Sequence, residues 1–340
     1  MPNTAFWRSL PVLLILVLTA VPIQAQKPRT FCIAFYNVEN LFDNQDDPKT
    51  EDEEFTAEGK ARWTTERMNE KVRNIARVIA AINEGNGPDV LGLSEVENEA
   101  MLKTLLRQGG LDRKGYRYLH ADSRDQRGID VCLVYREKSF RPISYRLLPV
   151  DVSAYDSRPT RDILMVTGIA AQKDTLHLFV NHWPSRRGGR EVTAPKRMAA
   201  ARVLRRTLDS LFARNPEALV VAMGDFNDNP GDASVNHLQY SPRSEDLRNC
   251  MSRFDWKAGQ GTEFYQGSWY RFIQILLSPS MGRYSFTGDE SDPCSGIHIF
   301  RPDWILKEDS TGQRIPRRSV EQDGTIGYSD HLPVYLLLRW

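Results

Sequence analysis

Cysteine is scarce in this chain, four residues in 340. Cys32, Cys132, Cys250 and Cys294 show none of the paired spacings of a zinc site. An excess of one charge is also missing. Lys and Arg number 45 against 44 Asp and Glu, and setting aside Arg8 leaves the remainder balanced. A neutral chain gives no global argument for nucleic-acid binding and leaves only local basic patches. Beyond residue 25 no apolar run approaches membrane length. Internal repeats and low-complexity linkers are absent, and the length allows one large domain or two.

What is present begins with a leader. Arg8 precedes an apolar stretch from Leu10 to Ala20, broken only by Pro11 and Thr19, and Ile23-Gln24-Ala25 resembles a cleavage site. Residues 1–25 read as a secretory signal peptide, with residues 26–340 exported to the periplasm or beyond. The stretch is too short to anchor comfortably, so no stable membrane span is expected after cleavage. In an exported protein Cys250 and Cys294, in polar loops, are candidates for a disulfide. Cys32 and Cys132 lie in apolar runs and are expected as buried thiols.

Apolar runs at Phe31-Tyr36, Val90-Leu93, Val131-Tyr135, Ile163-Ile169, Leu176-Val180, Ala218-Met223, Phe272-Leu277 and Leu332-Leu338 predict strands. Two helices stand out, one with Val72, Ile75, Ile79 and Ile82 on a face, the other with Met198, Ala201, Leu204, Leu208 and Leu211. Asn86-Gly87-Pro88 and Asn215-Pro216 end them. Many strands and few long helices favour an α/β fold, two packed sheets with helices outside. The acidic stretch from Gln45 to Glu58 reads as a solvated insertion of a kind that can border a cation site.

Chemistry gathers where these strands end. Asn37 follows the first, Glu95 ends the second, and His182 closes Leu178-Phe179-Val180-Asn181-His182. Asp225 and Asn227 follow Ala218-Met223, and Asp330-His331 precede Leu332-Leu338. A carboxylate at a buried strand tip is costly unless something positive meets it. Glu95 and Asp330 suit a hard cation such as Mg²⁺ or Mn²⁺, with Asn37 beside them. Asp225 and Asn227, one residue apart, point the same way on an extended segment. One is expected to take a proton from water while the other orients it. His182, beside Arg186, Arg187 and Arg190, is placed to protonate a leaving oxygen. Arg161 and His331 are expected to hold phosphate charge. Together these clusters suggest metal-assisted hydrolysis of a phosphoester.

The order of these motifs resembles the endonuclease/exonuclease/phosphatase superfamily, which includes DNase I-like nucleases, abasic-site endonucleases, inositol polyphosphate phosphatases and neutral sphingomyelinases. The carriers are Asn37, Glu95 in Leu-Ser-Glu, His182 in Asn-His-Trp-Pro-Ser, Gly224-Asp225-Phe226-Asn227 and Ser329-Asp330-His331. Arg127-Gly128-Ile129-Asp130 looks like a bacterial exported branch. The resemblance spans Phe31 to about Arg339. It implies a DNase I-like four-layer sandwich over residues 26–340, with the site where the ends of the two sheets meet. It also implies a monomer acting on a phosphodiester, nucleic acid among the candidates, with a phosphomonoesterase acting on phospholipid or sugar phosphate as the alternative. One position departs from the family. An Asp that hydrogen-bonds the last histidine is replaced by Ile273, which cannot orient or charge-stabilise it. His331 is therefore expected to titrate lower unless another acid replaces the missing one, and a weakened, binding-only protein is the rival reading.

Overall fold

The computed structural model describes residues 30–240 and 246–340. The signal-peptide reading of residues 1–25 lies outside the described residues. Along the chain the strands are β1 (Thr30–Leu41), β2 (Val90–Val96), β3 (Tyr116–His120), β4 (Asp130–Arg136), β5 (Phe140–Leu148), β6 (Ile163–Ala170), β7 (Asp174–His182) and β8 (Leu219–Asp225). They continue as β9 (Arg248–Asn249), β10 (Glu263–Tyr265), β11 (Ser268–Tyr270), β12 (Ile273–Leu277), β13 (Ile297–Ile299), β14 (Leu306–Glu308), β15 (Arg314–Pro316) and β16 (Val334–Arg339). The helices are α1 (Thr65–Ala81), α2 (Glu99–Leu106), α3 (Arg190–Arg214) and α4 (Ala233–Gln239).

Two six-stranded mixed sheets result, ordered β13-β16-β1-β2-β4-β3 and β5-β6-β7-β8-β12-β9. Strand alternation explains how they stack. On β1, Phe31, Ile33 and Phe35 enter the core between the sheets, where Val180, Met223, Ile275 and Leu336 meet them. Cys32, Ala34 and Tyr36, on the other face of β1, pack with Val72, Ile75 and Ile79 of α1. The second sheet repeats this: Phe179, Val220 and Ala222 pack with Leu204 and Leu208 of α3 and Val235 of α4. Three cores thus lie between four layers, and the inner strands are apolar on both faces because both are buried. Each fully buried Leu, Ile or Phe contributes about 1.5–3 kcal/mol relative to exposure.

All eight expected strands and both expected helices are present. The first helix stops at Ala81, before Asn86-Gly87-Pro88, because Ile82 turns to an extended conformation. The sequence reading missed the edge strands β3 and β5; most of the central residues of β5 are exposed, so its apolar signal is weak. It also missed the short α2 and α4. Cys250 and Cys294 are joined, with Cα atoms 5.0 Å apart, within the core between the sheets. Cys32 and Cys132 are buried free thiols, as expected. Among the described residues no helix is long and apolar enough to cross a membrane.

Candidate active site

Parallel pairing locates the site. β1 and β2 run parallel, as do β7 and β8, and each pair carries its polar residues at the carboxyl end. Asn37 lies opposite Ser94, next to Glu95, and His182 lies opposite Asp225. The buried Asn37 amide then joins the sheets. Its Nδ2 donates to Glu95 Oε1 at 3.1 Å and to Asp225 Oδ2 at 2.9 Å. Its Oδ1 accepts from the Glu39 backbone N–H at 2.9 Å. Both amide hydrogens are therefore used, and none is left for a substrate oxygen. Through Nδ2 it clamps two carboxylates, while Oδ1, with one hydrogen bond accepted, keeps a second lone pair.

Glu95 has φ 63° at an irregularity in the β2–β4 register. A non-glycine residue in the left-handed region stores strain of the kind found at functional sites. Glu95 Oε2 also accepts from the Asn40 N–H at 3.0 Å. His182 Nε2 lies 3.7 Å from Glu95 Oε1 and 3.9 Å from Asp225 Oδ2. His331 Nε2 lies 3.6 Å from Asp225 Oδ2 and 3.5 Å from Asp330 Oδ1. Residues separated by up to about 300 positions thus form one cluster at the floor of a cleft of about 450 Å³, which Arg161 and Asn227 also line.

Asn227 departs from the extended geometry expected of it. Its φ is 50°, and its N–H folds back onto Asp225 Oδ1 at 2.9 Å. One Nδ2 hydrogen goes to the Trp183 carbonyl at 3.0 Å, leaving the other for a ligand. Arg161 precedes β6 and is buried. Its fork holds Asp125 Oδ2 and the Trp183 carbonyl, each at 2.9 Å. Of the three arginines Arg186, Arg187 and Arg190 after His182, Arg187 lines the cleft. Arg186 is fixed by Asp228 at 2.8 Å and Asp232 at 2.6 Å, and Arg190 by Asp232 at 2.5 Å.

The charge states divide along this geometry. Burial raises the Asp225 carboxyl above its ordinary value, in spite of His331 and the Asn37 amide. Burial also acts to raise Glu95, but the charges of Arg127 and His331 and the Asn37 hydrogen bond leave it lowered. Burial, with Arg161, Arg127 and His331, drives His182 well below its ordinary value. In its neutral form His182 presents one ring N–H as a donor. Burial would lower His331 as well, yet Glu263, Asp330, Asp225 and Glu95 overcome it and push it up to about 9. Other acids thus surround the ring where Ile273 supplies none.

Sequence reasoning missed three residues here. Glu39, two positions after Asn37, accepts from the backbone N–H groups of Ser319 at 2.6 Å and Asp330 at 2.8 Å. Its other oxygen takes Arg318 Nε at 3.1 Å, and Arg318 reaches Asp330 at 2.9 Å, so the loop of Asp330 and His331 hangs from β1. Asp125 and Glu263 line the cleft from a loop and a hairpin without a sequence signal, and Arg127, noted only as part of a family motif before β4, lines it too. The acidic stretch contributes Glu51 to the same cleft.

The donor set fits a hard cation. Glu95, Asp225, Glu263 and Asp330 are oxygen donors on one cleft, and Glu263, Asp330 and His331 offer ligand atoms within 4.8 Å of one another.

A profile of the Endonuclease/Exonuclease/phosphatase family matches residues 32–340. No curated protein sequence matches the chain. Truncated TDP2 of Caenorhabditis elegans is 15% identical, with a TM-score of 0.55 over 92% of this chain and 98% of that one. The Bacteroides thetaiotaomicron mannosyl-6-phosphatase is 16% identical, with a TM-score of 0.55 over 91% of this chain and all (100%) of that one. The human Nocturnin catalytic domain, solved with bound sulfate, is 15% identical, with a TM-score of 0.54 over 91% and 94%. At these identities the likeness is one of fold.

Proposed function

The chain belongs to the endonuclease/exonuclease/phosphatase family of phosphoester hydrolases, and on that premise we propose an exported, divalent-metal-dependent phosphodiesterase. The observation that carries this reading is the single contact network of Asn37, Glu95, His182, Asp225 and His331, drawn from both sheets. Glu95 and Asp330 would hold Mg²⁺ or Mn²⁺, which when bound offsets phosphate charge and polarises the scissile phosphoryl group. Asp225, its carboxyl raised by burial, takes the proton of the attacking water. Asn227 orients that water with its remaining amide hydrogen. His331, cationic at neutral pH, and Arg161 stabilise charge developing on the phosphate. Neutral His182 donates its N–H to the leaving oxygen.

A diester is favoured by the basic side chains that line the cleft besides Arg161. Arg127, Arg158, Arg187 and Lys196 line it together with Glu51, Asp125 and Asp156, and suit a substrate that carries further anionic groups past the scissile phosphate. Nucleic acid is one such substrate. The phosphatase among the structural neighbours keeps a sugar-phosphate monoester as the second reading. Export is supported by the leader sequence and by the Cys250–Cys294 disulfide, a bond suited to oxidising compartments. We take the active form to be a monomer. The test is turnover of bis-p-nitrophenyl phosphate against p-nitrophenyl phosphate with EDTA, Mg²⁺ or Mn²⁺. Cation-dependent turnover favouring the diester supports the proposal. Full activity after exhaustive chelation sinks the metal assignment, and turnover of the monoester alone sinks the diester.

A further inference from the structure

His331 is buried, and its Nδ1 has no hydrogen-bond partner among the described residues. The strand next to the site offers it nothing polar: Ile273 pairs with Asp225 across β12 and β8, and its side chain is fully buried in the core between the sheets. Asp225 and Asp330 lie 3.6 and 3.5 Å from His331 Nε2, and a third acid stands near the ring on another element. Strands β10 and β11 form a hairpin, and Glu263, the first residue of β10, makes an isolated antiparallel bridge with His331. Residues directly opposite in an antiparallel pair project to the same face, with Cβ atoms about 4.5–5.5 Å apart.

Thr262 fixes this register from both sides. Its carbonyl accepts from the Leu332 N–H at 2.7 Å, and its Oγ1 accepts from the Ile273 N–H at 3.2 Å. The residue before Glu263 is therefore tied to the residue after His331 and to the strand that lacks an acid. Side-chain oxygens of Glu263 and Asp330 and a ring nitrogen of His331 lie within 4.8 Å of one another.

We propose that Glu263 is the positioning residue for His331, its carboxylate on the β10–β11 hairpin taking the place of the acid that β12 lacks at Ile273. This rests on the reading of His331 as a group that stabilises charge during phosphoester hydrolysis. Residue 273 pairs with Asp225, whose Oδ2 lies 3.6 Å from His331 Nε2, so an aspartate placed there would share with Asp225 the face that meets the imidazole.

The experiment measures kcat, KM and the Mg²⁺ concentration for half-maximal rate on bis-p-nitrophenyl phosphate. It compares wild type, Glu263→Gln, Glu263→Asp, and Glu263→Gln combined with Ile273→Asp, each checked for folding by thermal melting. Loss of a partner of this kind costs roughly 10–100-fold. Glu263→Gln is expected to lose that much in kcat, with KM and the Mg²⁺ requirement held within about twofold. The combined variant is expected to recover at least about tenfold of the loss. An unchanged kcat in Glu263→Gln overturns the proposal. A Mg²⁺ requirement that rises in step with the loss also overturns it, by making Glu263 a cation ligand. A folded combined variant with no recovery does the same. If the combined variant does not fold, Glu263→Asp decides: it must retain more activity than Glu263→Gln, and an equal loss overturns the proposal. A wild-type protein that turns over no phosphoester with any cation refutes the functional reading itself, before any variant is compared.

Discussion

Replacing Asn37 with Ala tests the clamp at the centre of the site. One nitrogen donates to two carboxylates, at 3.1 Å to Glu95 and 2.9 Å to Asp225, and the residue is fully buried. A hydrogen bond to a charged group contributes about 1.5–3 kcal/mol net. The two acceptor oxygens are at most about 6.0 Å apart, the two bond lengths laid end to end. With the amide removed, their repulsion at an effective dielectric of ~20 is about 3 kcal/mol. These terms overlap, so the expected loss is about 3–5 kcal/mol in EDTA at a pH where both carboxylates are ionised. The pH dependence follows from Asp225. Its folded value is already raised above its ordinary 3.8, and Asn37 is one of the groups holding it down. The variant raises it further. A raised carboxyl contributes stability that is present below the unfolded value and lost as pH rises through the folded value. The deficit should therefore be small near pH 4 and complete above the folded value of Asp225. Guanidinium unfolding followed by circular dichroism, at several pH values in EDTA, reads both effects. An Asn37→Ala protein whose midpoint matches wild type at every pH tested, or whose deficit does not shrink on acidification, would refute the reasoning.

Glu95→Gln should raise the Mg²⁺ requirement and lower the rate together, as titration of activity against Mg²⁺ will show; a lower rate at an unchanged requirement removes Glu95 from the cation. Asp225→Asn keeps the shape but loses the base, so kcat should fall by roughly 10²-fold or more in a folded protein, and near wild-type turnover would place the base elsewhere. His331, raised from 6.5 to about 9, contributes stability that is complete below its unfolded value and lost as pH rises through about 9. Melting temperatures in EDTA should fall across that window in wild type and change less in His331→Gln. The Cys250–Cys294 bond closes a loop of 44 residues, for which the chain-entropy estimate is about 4 kcal/mol; non-reducing mass spectrometry should find the joined peptides, and alkylation of both thiols without prior reduction would contradict the pairing.

The amino-acid sequence determined the inner strands and the two long helices by itself, because burial on both faces of β1, β2, β7 and β8 leaves continuous apolar runs. It also determined the polar residues that end those strands, since Asn37, Glu95, His182 and Asp225 interrupt runs that are otherwise apolar. A periodicity argument reports only which face of its own element a side chain takes. It cannot report what stands opposite, and that was decided by tertiary structure. Asn37 was legible as a site residue, but its role as a clamp depends on Asp225, 188 positions away. Ile273 was legible as a missing acid, whereas Glu263 carried no signal, because a half-buried glutamate in a short hairpin looks like any surface residue until the hairpin sets it opposite His331. The opposite charge states of His182 and His331 arise in the same way. Both are buried imidazoles, but burial, reinforced by Arg161 and Arg127, prevails at His182, whereas Glu263, Asp330 and Asp225 overcome it at His331, and that difference exists only once the two sheets have packed.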